Sequence, residues 1–290
     1  MLATYLKSAS AAKIKNYVYA GAAGGVLATS KDAITWTSRT SGTTSSVNAL
    51  TYGNGLYVYG GNGGVLATST DGITWTARTS GTTSTIFALT YENGLYVYGG
   101  NGGVLATSTD GITWTARTSG TTSSVRALTY GNGLYVYGGN GGVLATSTNG
   151  ITWTARTSGT TSTILALTYG NGLYVYGGNG GVLATSTDGI TWTARTSGTA
   201  SNIFCLTYGN GIYVYGASGG GLRTSTNGIT WTARTSGTAN NILALTYENG
   251  LYVYGGIGGV LATSTNGITW TSRTSGTAST ILALTYGDGS

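Results

Sequence analysis

An all-β fold, a seven-bladed β-propeller of four-stranded antiparallel blades, follows from three observations on this 290-residue chain. Seven tryptophans, Trp36, Trp75, Trp114, Trp153, Trp192, Trp231 and Trp270, stand 39 residues apart, and seven arginines, Arg39, Arg78, Arg117, Arg156, Arg195, Arg234 and Arg273, keep the same step. Each period holds four short apolar segments divided by turns rich in asparagine, aspartate and glycine. The chain has 52 glycines and no proline. A repeat of about 40 residues with four strands is the period of a propeller blade, whereas leucine-rich, ankyrin and tetratricopeptide units need helices that glycine-rich text does not support.

Within one unit the strands are 86–91 (IFALTY), 95–98 (LYVY), 104–108 (VLATS) and 112–117 (ITWTAR). Their β-branched and aromatic residues suit strands. The connections YENG, GGNGG and TDG carry the residue types of two-residue hairpin turns, so three hairpins make one meander. The longer TSGTTS link has to cross a four-stranded sheet, about 14 Å, and six extended residues reach about 20 Å. IFALTY and LYVY are apolar on both faces, as befits a sheet covered on each side by a neighbour. Each tryptophan is expected to fill a gap between blades, burying about 200 Å² at about 25 cal/mol per Å², an upper bound of about 5 kcal/mol.

The chain ends predict how the ring closes. Segments 17–19, 26–30 and 34–39 supply the last three strands of a blade, and 281–286 supplies its missing first strand. The first unit carries one additional residue in its AGAAGG turn. Residues 15–290 form the propeller and residues 1–14 an extension, packed against the ring, frayed, or used as a docking peptide toward virion or surface proteins. The extension lacks the apolar core of a secretory signal.

Composition excludes several classes. With 40% apolar and 7% charged residues the chain is no solvated disordered polymer. No run of 18 apolar residues occurs and the strands are shorter than outer-membrane strands, so membrane insertion is not expected. Cys205 stands alone and histidine is absent, which leaves no internal disulfide, and neither a metal site nor a cofactor is expected. The net charge of +6 favours polyanions, but the cations are spread singly, so nucleic acid is not an expected partner.

The segment STDGITW, at 69–75 and 108–114, resembles the Asp-box of sialidase-type propellers, S-x-D-x-G-x-T-W, less the residue between aspartate and glycine. The larger unit, GxGGVLATSTDGITW followed by TYGNGLYV, resembles propeller-like repeats of bacterial and phage proteins. That resemblance implies the fold and not a chemistry. The acidic position reads Asp32, Asp71, Asp110 and Asp188 but Asn149, Asn227 and Asn266 elsewhere, which fits a turn-forming role and not a carboxylate or calcium role. A sialidase would imply an arginine cluster, a tyrosine–glutamate pair and an acid aspartate. The two glutamates, Glu92 and Glu248, lie 156 residues or four periods apart, and paired glycosidase carboxylates need to sit within about 5–10 Å. No enzyme is expected.

Candidate ligand-binding residues are the seven arginines, as grips for acidic sugars or phosphates, and Tyr57, Tyr96, Tyr135 and Tyr174, as stacking platforms. The plainer readings are edge protection for the arginines and blade packing for the tyrosines. One first-strand position varies freely: Asn48, Phe87, Arg126, Leu165, Phe204, Leu243 and Leu282. It either faces a central channel or records drift in a recently amplified gene, the favoured reading. Seven equal faces on one monomeric ring suit multivalent recognition of glycans or a cell surface, as in the repetitive propeller lectins that this chain is similar to in design. A phage tail or bacterial surface is the expected setting. The rival reading is a purely structural or assembly scaffold.

Overall fold

The computed structural model describes residues 15–22 and 24–287. Seven four-stranded antiparallel sheets surround a central channel. In the first complete blade the strands are Val47–Gly53, Leu56–Gly61, Leu66–Ser69 and Thr76–Arg78, in sheet order from axis to rim. Ring closure is as expected. Ile281–Gly287 pairs with Asn16–Gly21, setting Tyr17 against Tyr286 and Tyr19 against Leu284, and Leu27–Ser30 and Thr37–Arg39 complete that blade. The extension at 1–14 lies outside the described residues.

Local sequence accounts for the turns. In the YGNG turn Asn54 and Gly55 both take positive φ, 47° and 78°, the pair of left-handed residues a tight hairpin requires. The GGNGG turn differs from the two-residue expectation: Asn62–Gly64 is a single 3₁₀ turn, closed by Val65 N donating to Asn62 O at 3.4 Å. The fourth strand is also shorter than expected. Of the 112–117 segment only Thr115–Arg117 joins the sheet, because the amides of Ile112 and Thr113 are taken by the Asp110 carboxylate, each at 2.8 Å.

The core sits between blades, in seven apolar clusters, one at each interface. One example joins Val97 and Leu105 of one blade to Val125, Tyr135, Tyr137 and Ala145 of the next. Both faces of the LYVY strand are covered: Tyr57 and Val58 are 0% exposed and Tyr59 is 2%. The tryptophans pack on these clusters from the rim, with Trp75 4.9 Å from the Tyr59 ring. They are half-buried and not the enclosed plugs expected, because each indole follows the turn that carries it to the outer edge. Their contribution falls below the full-burial figure accordingly.

First strands of neighbouring blades stand side by side around the axis and line the channel. In each, the ladder to the second strand skips one residue, as where Val125 faces Gly139 and Ala127 faces Gly138. The variable position is that bulged residue, in all seven blades, and it faces the channel.

Candidate functional site

The repeated candidate site is the groove where the fourth strand of one blade meets the aspartate turn of the next. The turn is built by side chains acting on local backbone. Ser108 Oγ donates to Asp110 Oδ1 at 2.8 Å and accepts from Gly111 N at 2.8 Å, and Asp110 Oδ1 takes the Ile112 and Thr113 amides. Those amides, Thr113 first, draw the Asp110 pKa down to about 2, and Thr191 and Ile190 do the same for Asp188. Asn149 holds the same geometry with a neutral oxygen, accepting from Ile151 N at 2.9 Å and Thr152 N at 3.0 Å. What the turn requires is therefore an oxygen acceptor, and the Asp/Asn exchange along the chain is explained.

Closing this turn fixes the indole. Trp114 Nε1 donates to Gly111 O at 3.1 Å, and every other unit repeats the bond. The isoleucine beside it is held outward: Ile112, Ile151 and Ile190 are 41%, 40% and 42% exposed.

Each predicted arginine is half-buried and oriented by a threonine ten residues earlier on the third strand. Arg117 Nε donates to Thr107 Oγ1 at 2.9 Å, and the bond recurs in all seven units. That bond employs one of five guanidinium donors and fixes the fork. Arg156 then lines a groove of ≈ 470 Å³ with Ile190, Thr191 and Trp192 of the following blade. Arg39 lines a different groove of ≈ 510 Å³, made mostly by Thr29, Lys31, Asp32, Thr35 and Thr37 of its own blade, with Ile73 from the next. On their other flank Arg39 and Arg117 border hollows of ≈ 660 and ≈ 650 Å³ between the inter-blade link and the glycine turn. The threonine partners escaped sequence reading, although a Thr-x9-Arg spacing in every unit is there to be seen.

Strand direction also separates charge. Arg117 pairs with Leu105 at one end of the third strand, whereas Asp110 follows Ser108 at its other end. The arginine backbones thus mark one face of the ring and the aspartate turns the opposite one. Glu92 and Glu248 end first strands in blades with three others between them one way round and two the other. Among the described residues, no group of three or more acidic or cysteine side chains is gathered to hold a metal ion.

The four predicted stacking tyrosines are placed elsewhere. Tyr57 and Tyr96 are 0% exposed, Tyr135 and Tyr174 1%, so their rings present no face to a ligand. They are inter-blade ties: Tyr57 donates to Asn16 O at 2.9 Å, Tyr135 to Glu92 O at 2.6 Å, and Tyr96 and Tyr174 to the carbonyls of Gly53 and Gly131. Burial pushes the Tyr135 hydroxyl up to about 12. The second tyrosine of each strand bonds the link arriving from the blade before it, as Tyr137 does with Ser119 O at 2.7 Å.

Comparison with solved structures returns the same architecture. The chain is similar to a YCF48 bound to a D1 peptide, at TM-score 0.71 and 16% identity, covering 89% of each chain. It is similar to YCF48 from Cyanidioschyzon merolae at TM-score 0.63 and 18% identity, covering 81% of this chain and 87% of that one. The computationally designed Ika8 protein aligns at TM-score 0.60 and 19% identity, over 84% of this chain and 91% of its own. At such identities the likeness is one of fold. No curated protein matches the sequence. The model of the DUF6242 beta propeller domain matches residues 42–127 and again 118–204, together more than half of the chain. With that coverage, and with the blade architecture seen here, the chain belongs to the DUF6242 beta propeller domain family.

Proposed function

We propose that the chain is a non-catalytic recognition propeller whose rim grooves bind an acidic glycan or other cell-surface polymer at several points at once. The observation that carries this reading is the guanidinium fork, pre-set by its threonine and bordered by the next blade's tryptophan and exposed isoleucine, as at Arg156, Ile190 and Trp192. Such a fork matches a carboxylate or sulfate in bidentate fashion, and the indole and isoleucine offer apolar surface to a sugar face. Each contact is shallow and weak alone. Seven copies on one rigid ring convert weak contacts into firm attachment when the target repeats as well. The net charge of +6 hastens encounter with such a target. A phage tail or a bacterial surface is the setting that suits this use.

The experiment is binding to immobilised heparin and polygalacturonate, for the unsubstituted chain and for a variant with Arg→Gln at all seven rim positions. Retention that weakens with salt and is lost in the variant supports the reading. Absence of retention, or retention indifferent to the substitutions, overturns it.

A second reading, a scaffold that docks a protein segment, draws on the similar YCF48 structure, which holds a D1 peptide. It predicts capture of extended peptides with no retention on either polysaccharide.

A further inference from the structure

Seven near-identical blades differ most widely at one place, the bulged residue of the first strand. Its neighbours have no freedom: Val125 is 0% exposed and Ala127 6%, both locked between blades. Arg126 between them is half-buried and free of the ladder. A bulge re-aims its side chain, and here all seven, with the two residues that follow each, surround a cavity of ≈ 200 Å³ on the channel axis. Core packing therefore does not dictate what stands there.

The seven side chains divide into two arcs. Leu165, Phe204, Leu243 and Leu282 occupy four consecutive blades and make an apolar wall. Asn48, Phe87 and Arg126 occupy the other three, and there the polar groups are held. The Arg126 guanidinium carbon lies 3.8 Å from the centroid of the Phe87 ring, and its Nε donates to Asn140 Oδ1 at 3.1 Å. Asn48 Nδ2 donates to Asn62 Oδ1 at 2.8 Å and to Ile86 O at 3.2 Å. Arg126 is the one cation among the residues that line the cavity. Its ring contact and its Nε bond set the guanidinium plane with one of five donors. Burial lowers its pKa from the ordinary value, a sign that water is partly excluded around it, and it stays charged. A fixed, half-buried cation that shares one cavity with four apolar side chains suits a ligand anionic at one end and apolar at the other.

We propose that this end of the central channel is a binding site for a small carboxylic acid with an apolar body. The carboxylate pairs with Arg126, and the hydrocarbon lies against Leu165, Phe204, Leu243 and Leu282. A cavity of ≈ 200 Å³ is below the range of about 300–1,000 Å³ usual for drug-sized ligands, so the ligand is a short free acid or the last residue of a polypeptide. The site uses none of the rim arginines and occurs once per ring, so it stands or falls apart from the rim reading.

The test is titration calorimetry on the full chain with 3-phenylpropanoate, with its amide, and with an acetylated Gly-Gly-Leu tripeptide in free-acid and amidated forms. Arg126→Leu is the informative variant, because Leu165, Leu243 and Leu282 already fill the same bulge in other blades and folding is therefore preserved. One site per chain is expected, at least tenfold tighter for the acid than for its amide, with that preference abolished in Arg126→Leu and retained when the seven rim arginines are Gln. Binding of the free acid without the peptide identifies a metabolite-like ligand, and the reverse identifies a chain end; both support the site. No binding by either, equal affinity for acid and amide, or binding unchanged in Arg126→Leu overturns it.

Discussion

The Tyr135 hydroxyl leaves its own blade and donates to the carbonyl oxygen of Glu92, in the turn of the blade before it, at 2.6 Å. The Tyr135 ring is 1% exposed, whereas Glu92 is exposed at the strand end, so the bond is partly buried. The same reach from one blade to the carbonyl of the last occurs around the ring, and it ties sheets that share no ladder.

Tyr135→Phe removes the donor and leaves a partly buried carbonyl without its protein partner. Water can replace the lost donor at that carbonyl, so the loss is that of one ordinary hydrogen bond, about 0.5–1.5 kcal/mol by chemical denaturation. The ring of Phe keeps the apolar packing, so the slope of the denaturation curve should stay as it was.

Burial raises the second tyrosine of these strands as a set, Tyr59, Tyr98, Tyr137, Tyr176 and Tyr254 each from 10.0 to about 12. The folded state thus holds protons that the unfolded chain releases. Their contribution is fully present below pH 10 and is lost as pH climbs from 10 through about 12. Each tyrosine adds at most about 1.4 kcal/mol per pH unit to that decline. Melting temperature should fall steeply across this window, and the tyrosinate absorbance of the buried set should rise with unfolding and not before it.

Asp110→Asn should leave stability at neutral pH within about 0.5 kcal/mol, the ordinary range for a surface change, because Asn149, Asn227 and Asn266 make the same bonds. Asp110→Ala removes the acceptor of two amides and should cost about 1 kcal/mol, as loss of a cap does. Thermal denaturation of the two variants separates an oxygen requirement from a charge requirement.

Gly102 and Gly103 are adjacent, with φ of 67° and 75°, yet differ in surroundings. A Cβ on Gly102 meets nothing within 4 Å, whereas one on Gly103 falls 2.0 Å from the Thr121 carbonyl oxygen. Gly102→Ala should cost about 1–2 kcal/mol, the left-handed penalty alone. Gly103→Ala adds a backbone clash and should cost a further 1–3 kcal/mol, roughly the price of overpacking. Equilibrium denaturation of the pair checks the difference.

The ring was legible because the 39-residue step of Trp75 and Arg78 leaves no room for insertions, and because LYVY is apolar on both faces. The rim arginines were legible as a set, but their threonine partners were hidden by the many other threonines. Tyr57 and its repeats read equally well as platforms or packing, and only the covering blade decides between them. The bulge had no signature in IFALTY, where a run apolar on both faces conceals a one-residue shift of register. Variation at Phe87 and Arg126 marked the place without saying where it pointed. The shortened fourth strand was hidden for a similar reason: ITWTAR has strand composition throughout, and the competing carboxylate of Asp110 acts from outside it.

The central claim is that the rim grooves are equivalent binding sites. Titration calorimetry with a single-unit acidic ligand, a sulfated disaccharide too short to bridge two grooves, tests it most directly. The account predicts several equal, weak sites per chain, up to seven, all lost when the rim arginines are replaced by Gln. A single site, or no heat at any concentration, would contradict it.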